Sequence, residues 1–122
     1  KLLPVSGAFH HPRIMYRASL AFQETLADIL FANPQVPIIA NSSAEILTDP
    51  EKIKEELGKV VRQAVKWRQS VEAMIQNGVT DVYEFGPKRV LSGLVRRIGR
   101  DNNKDIKVNP FNSLDAIRQF AS

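Results

Sequence analysis

The sequence predicts an α/β fold built around a small parallel sheet, and three observations carry that expectation. Short apolar runs alternate with stretches whose apolar residues recur at three- and four-residue steps, the pattern of strands alternating with amphipathic helices. Asn-Pro, Asn-Gly and Gly-Pro pairs punctuate the chain between them, at Asn33-Pro34, Asn77-Gly78 and Gly86-Pro87. The 122 residues, 43% hydrophobic and 25% charged, have the composition of one soluble globular domain. Strands separated by helices pair in parallel, so the order implies a small three-layer arrangement.

Leu3–Phe9 reads as a short extended strand, held to an edge or a strand start by Pro4. From Arg13 to Leu30, Ile14, Met15, Leu20, Phe22, Leu26, Ile29 and Leu30 mark an amphipathic helix, ended by Asn33-Pro34. Val36–Ala40 is a short apolar run, predicted as a buried strand. Asp49 before Pro50 is a capped helix start, and that helix runs to about Val61. A further helix begins near Val65, places Trp67, Val71, Met74 and Ile75 on one face, and closes at Asn77-Gly78. Val79–Phe85 is the second strand. Val90, Leu91, Leu94, Val95 and Ile98 mark a helix stopped by Gly99. Ile106–Val108 is a weak third strand, and Ser113 caps a last helix with Leu114, Ile117 and Phe120.

Several function classes are excluded at this level. No apolar run approaches the ~20 residues that cross a bilayer, and the first residues lack the apolar core of a signal peptide. Without cysteine there is neither a disulfide framework nor thiolate chemistry. A cytoplasmic address is the expectation. The formal charge is +4, and Lys88, Arg89, Arg96, Arg97, Arg100, Lys104 and Lys107 gather the excess into one stretch. That stretch reads either as a solvated helix face or as a surface for an anionic partner. No aromatic platform is interleaved with it, which weakens a single-stranded nucleic-acid reading and leaves nucleic-acid binding resting on basic charge alone.

Generic chemistry is sparse. There is no Gly-x-Ser-x-Gly elbow, phosphate-cradling glycine loop or metal-ligand spacing. His10 and His11 are adjacent, so in an extended segment their rings face opposite ways and do not share a metal. That leaves His10, at the end of Val5-Ser6-Gly7-Ala8-Phe9, as either a structural histidine or a proton-transfer group.

Three stretches resemble one enzyme family in the same order: Val5–His10, Val65-Lys66-Trp67-Arg68-Gln69-Ser70-Val71, and Glu84-Phe85-Gly86-Pro87-Lys88-Arg89-Val90-Leu91. The family is the malonyl-CoA:acyl carrier protein transacylases, with the related acyltransferase domains of polyketide synthases. The likeness runs from about Leu3 to Ile98 and covers only the C-terminal part of such an enzyme. It implies that residues 1–10 are the returning strand of a small ferredoxin-like subdomain. Residues 11–122 would be the C-terminal part of an α/β-hydrolase-like large subdomain. His10 would be the acid/base partner of a serine, and the Lys66 main-chain carbonyl would orient its ring. Phe9 and Gly7 would line the acyl site, with phenylalanine accompanying malonyl rather than branched units. Asn41 matches a Ser-Asn-type family segment and also reads as a plain turn residue; Trp67 reads as a core anchor.

The resemblance also implies malonyl-CoA as substrate, acyl carrier protein as partner, and no separate cofactor. Two positions depart from the family: Lys88 stands where a second glycine is usual, and His11 where a small polar residue is. The Gly-His-Ser-x-Gly nucleophile elbow, the oxyanion amides and the malonyl-binding arginine match no segment here. The chain is therefore expected to work only with the N-terminal part of the enzyme and to be inactive alone. The alternative is a non-catalytic α/β interaction module or an inactive remnant.

Overall fold

Among the described residues, helices and strands are interspersed along the chain, but the strands form two separate two-stranded sheets. The computed structural model describes residues 7–121. The elements are α1 (Tyr16–Ala27), β1 (Ile38–Ile39), β2 (Ile46–Leu47), α2 (Pro50–Val60), α3 (Trp67–Gln76), β3 (Asp81–Phe85), α4 (Val90–Asp101), β4 (Lys107–Phe111) and α5 (Leu114–Ala121). Contacts divide the chain into two compact units between Ser70 and Val71, within α3.

The first unit is built on α1, α2 and a hairpin. Asp49 caps α2, its carboxylate accepting from the Glu51 and Lys52 amides at 2.8 and 3.0 Å, with Pro50 at the first helical position. α1 lies against α2 at Gly58, where a Cβ would come within 2.9 Å of Gln23 Cγ. The buried Ser19 hydroxyl donates to the Gly58 carbonyl at 2.9 Å, and Gln23 Nε2 adds a second bond at 3.0 Å. Lys54 closes the other end of α1 by donating to the Ala27 and Ile29 carbonyls. Ala40, Leu47 and Ile53 form a small core with Phe31 packed against it.

The predicted strand over Val36–Ala40 is corrected in two respects. Only Ile38 and Ile39 are strand, and they pair antiparallel with Ile46–Leu47, a partner too short to leave an alternating pattern in the sequence. Val36 and Ile38 are exposed and only Ala40, past the end of the strand, is buried. Of the strand predicted over Leu3–Phe9, and of the 1–10 segment, residues 1–6 lie outside the described residues; Gly7–Phe9 are not strand.

The second unit is the parallel α/β part. β3 and β4 pair in register from Asp81↔Lys107 to Phe85↔Phe111, and α4 packs against β4. Val95, Ile98, Ile106 and Val108 are its buried apolar residues in α4, β4 and the link between them. Phe120 of α5 sits 5.3 Å from the Tyr83 ring and 4.8 Å from that of Phe111. The Gly78 stop is as expected: φ is +83°, the Val79 amide reaches the Met74 carbonyl and the Gly78 amide the Ile75 carbonyl.

The predicted stop at Gly99 is wrong. α4 continues to Asp101, and Asn103 at φ +54° terminates it with the same paired bonds, Lys104 amide to Gly99 carbonyl and Asn103 amide to Arg100 carbonyl. Gly99 instead permits close packing: a Cβ there would stand 3.0 Å from the Lys104 carbonyl oxygen. β4 extends through Pro110 to Phe111, beyond the predicted Ile106–Val108. Lys88 has no left-handed φ, so its replacement of a glycine carries no backbone strain.

Candidate functional site

The residues singled out from the sequence lead to a charged groove in the first unit. It has a volume of about 790 Å³, and its walls include His10, Ser42, Glu56, Lys59, Arg62 and Lys66. The hairpin wall is fixed by Glu56, which accepts from both the Ser42 amide at 2.7 Å and the Ser42 hydroxyl at 2.8 Å. Arg62 lies 5.7 Å from the centre of the Tyr16 ring.

His10 stands at φ +62°, a left-handed conformation that histidine enters more readily than most side chains. Its ring is tied down by Nδ1, 2.7 Å from the Val60 carbonyl oxygen. A carbonyl only accepts, so Nδ1 must carry the proton and Nε2 is left as the lone-pair nitrogen of the neutral ring. Val60 is the last residue of α2, where main-chain carbonyls have no partner within the helix. The helix end thus supplies the acceptor that fixes the tautomer.

Lys66 is differently engaged from the expectation. Its carbonyl accepts from the Ser70 amide and hydroxyl, both at 3.0 Å, and its own amide donates to the Asn41 carbonyl at 2.7 Å. The geometry therefore gives His10 the Val60 oxygen as partner in place of the Lys66 oxygen, although Lys66 still lines the groove. No sequence signal marks Val60, because a main-chain oxygen leaves no side-chain signature. Gly7 and Phe9 do not wall the groove. Phe9 is 65% exposed, and a Cβ on Gly7 would fall 3.3 Å from the Phe9 ring, so Gly7 makes room for that ring. His11 accepts weakly from the Arg13 and Ile14 amides at 3.3 and 3.4 Å, starting the turn into α1. Trp67 is half-buried, its indole N–H enclosed without a partner among the described residues.

Two features of the third resembling stretch have structural roles. Glu84 reaches from β3 to the start of α4, accepting from the Leu91 amide at 3.1 Å, the Ser92 amide at 2.8 Å and the Ser92 hydroxyl. The Ser92 hydroxyl, helped by these amides, holds the Glu84 carboxyl below the usual carboxylate range against the opposing effect of desolvation. In the basic stretch, Arg96 donates to the Val108 carbonyl and Lys107 pairs with Asp81 at 3.7 Å, while Lys88, Arg89, Arg97 and Arg100 are exposed. Among the described residues no group of three His, Asp or Glu side chains is placed to hold a metal, and no helix is long and apolar enough to cross a membrane.

Comparison with known proteins finds transacylases similar to this chain over part of their length. The chain is 38% identical over 98 residues to the malonyl CoA-acyl carrier protein transacylase of Bacillus subtilis, an alignment covering 80% of this chain and 31% of that protein. It is also 38% identical over 99 residues to the polyketide biosynthesis malonyl CoA-acyl carrier protein transacylase PksC of the same organism, covering 81% of this chain and 34% of that one. This chain is homologous to the C-terminal part of the malonyl-CoA:acyl carrier protein transacylases.

The fold agrees with this family. The crystal structure of the Synechocystis malonyl-CoA:ACP transacylase superposes with a TM-score of 0.85 at 31% identity, over 96% of this chain and 38% of that one. A type II polyketide synthase acyl-carrier protein in complex with its malonyl-transacylase gives 0.82 at 29% identity, over 96% and 36%. No family-level sequence profile matches. The chain spans about a third of the length of the curated transacylases it resembles.

Proposed function

We propose that this chain is the histidine-bearing part of a cytoplasmic malonyl-CoA:acyl carrier protein transacylase, with His10 as the general acid and base. The observation that carries the proposal is the 2.7 Å bond from His10 Nδ1 to the Val60 carbonyl, in a ring that walls an open groove. The carbonyl takes the place that the aspartate holds in a Ser-His-Asp triad, fixing the tautomer without adding a charge.

The serine comes from a segment outside these 122 residues, since no serine here stands in a Gly-His-Ser-x-Gly setting. That hydroxyl attacks the malonyl thioester carbon while His10 Nε2 accepts its proton. The carbon–sulfur bond breaks, and the Nε2 proton passes to the departing coenzyme A thiolate. The carrier protein's pantetheine thiol then gives its proton to Nε2 as its sulfur attacks the acyl-serine ester. The serine oxygen leaves and takes that proton back. No cofactor enters the scheme. Residues up to about His10 belong to the smaller subdomain of the enzyme and the remainder to the larger one. The exposed Lys88, Arg89, Arg97 and Arg100 suit an acidic carrier protein.

The test is transfer of labelled malonyl to carrier protein by the assembled enzyme. His10→Ala is expected to lower the rate about 10²–10⁴-fold. An unchanged rate would remove His10 from the mechanism and leave the non-catalytic reading. The 122-residue chain alone is expected to transfer nothing.

A further inference from the structure

We propose that Glu56 is a positioning residue for the substrate groove: it holds the Asn41–Ser42 turn, and through that turn ties the hairpin wall to the start of α3. The groove so fixed receives the pantetheine arms of both coenzyme A and the carrier protein. The inference rests on the transacylase reading given above.

The hairpin cannot hold its own turn. β1 and β2 pair only as Ile38↔Leu47 and Ile39↔Ile46, and an isolated two-stranded ribbon is marginal even when longer. In the connection between them Ala44 stands at φ +64°, a conformation that a residue with a Cβ keeps only where its surroundings impose it. The constraint comes from α2. Both carboxylate oxygens of half-buried Glu56 go to one residue, Oε1 to the Ser42 amide at 2.7 Å and Oε2 to the Ser42 hydroxyl at 2.8 Å. Lys52, Lys59, Arg62 and Lys66 line the same groove, yet among the described residues none of them forms an ion pair with Glu56. The carboxylate therefore serves the turn and not a neighbouring cation.

The turn passes the constraint on. The Asn41 carbonyl accepts from the Lys66 amide at 2.7 Å, and the Lys66 carbonyl accepts from the Ser70 amide at 3.0 Å in the first turn of α3. Bonds thus run from α2 through residues 41 and 42 to residue 66, and Ser42, Glu56 and Lys66 all line the groove. Walls held in this way are ordered before substrate arrives, so binding does not have to supply that order. Without the carboxylate, the Ser42 amide and hydroxyl lose their acceptors and the turn loosens. The Lys66 amide then loses a fixed partner.

The experiment measures transfer of labelled malonyl by the assembled enzyme, with malonyl-CoA and carrier protein varied in turn. Glu56→Ala should raise KM for both about tenfold with kcat nearly unchanged, because both arms use one groove. Glu56→Gln should recover most of that loss, since its amide oxygen accepts from the Ser42 amide and its NH₂ donates to the hydroxyl. A residue that only stabilised the fold would lower the active fraction, and so kcat, without moving either KM. Hydrogen–deuterium exchange reads the clamp itself. In Glu56→Ala the Ser42 and Lys66 amides should exchange faster, while those of β3 and β4 keep their wild-type rates.

A folded Glu56→Ala enzyme with wild-type exchange at either Ser42 or Lys66 would overturn the clamp. Faster exchange with both KM values unchanged, or with a rise confined to one substrate, would overturn its role in a shared groove. If Glu56→Ala does not fold, Ser42→Ala decides by the same readings. It removes the hydroxyl and keeps the amide, so both KM values should rise about threefold, and unchanged values would overturn the proposal. The acid/base reading is tested separately, because it fails only if His10→Ala retains transfer.

Discussion

Two glycines on α4 should respond to alanine in opposite directions, and the difference isolates a tertiary contact from helix propensity. Gly93 is exposed, and a Cβ there meets nothing within 4 Å. Gly93→Ala therefore gains only by restricting the unfolded chain and improving the helix, about 0.5–1 kcal/mol. Gly99 is buried. Its Cβ would stand 3.0 Å from the Lys104 carbonyl oxygen and 3.3 and 3.4 Å from Ile106 Cγ1 and Cδ1. The Lys104 peptide cannot simply withdraw, because its amide is bonded to the Gly99 carbonyl at 2.9 Å and Asn103 before it is committed to φ +54°.

Overpacking of that kind costs about 1–3 kcal/mol. Set against the same helix gain, Gly99→Ala should be destabilised by about 0–2.5 kcal/mol, with Tm lower by up to roughly 10 °C. Urea unfolding of the three chains, with the slope checked for constancy, gives the comparison. A Gly99→Ala chain as stable as Gly93→Ala would refute the argument that the approach of α4 to residues 104–106 requires glycine.

The remaining predictions concern caps and pH. The Glu84 carboxyl titrates below its unfolded value, so its contribution is fully present above the ordinary carboxylate range and is lost as pH falls through the lowered, folded value. Tm followed from neutral to acidic pH should fall more shallowly in Glu84→Gln than in wild type; parallel profiles would show that Glu84 does not anchor the start of α4. Asp49→Ala removes the acceptor for the Glu51 and Lys52 amides and should cost about 1 kcal/mol, read by urea denaturation, with Asp49→Asn or Asp49→Ser retaining most of it.

The elements legible in the sequence are those whose signals are local. Asp49-Pro50 marks the start of α2, and Asn77-Gly78 marks the end of α3, because capping and left-handed geometry depend on a few adjacent residues. The apolar spacing of Val95 and Ile98 found the buried face of α4. Gly99 misled for a physical reason: glycine serves both as a helix stop and as a gap for close packing, and only the position of Lys104 and Ile106 distinguishes them. β2 was missed because two residues carry no period. At the site, His10 was legible through its resemblance to a family segment, whereas its acceptor was not.

Taken alone, the order of residues determined the alternation of helices and strands, the limits set by caps and turns, and the kinship to the transacylases, since each is written in side-chain types at short range. Only the tertiary structure decided that the Val36–Ala40 run joins a hairpin, that Glu84 closes the start of α4, and that the helix end at Val60 faces the His10 ring. Those pairings join groups seven to fifty residues apart, through main-chain amides and oxygens that nearly every residue possesses, so no reading of side chains along the chain could single them out.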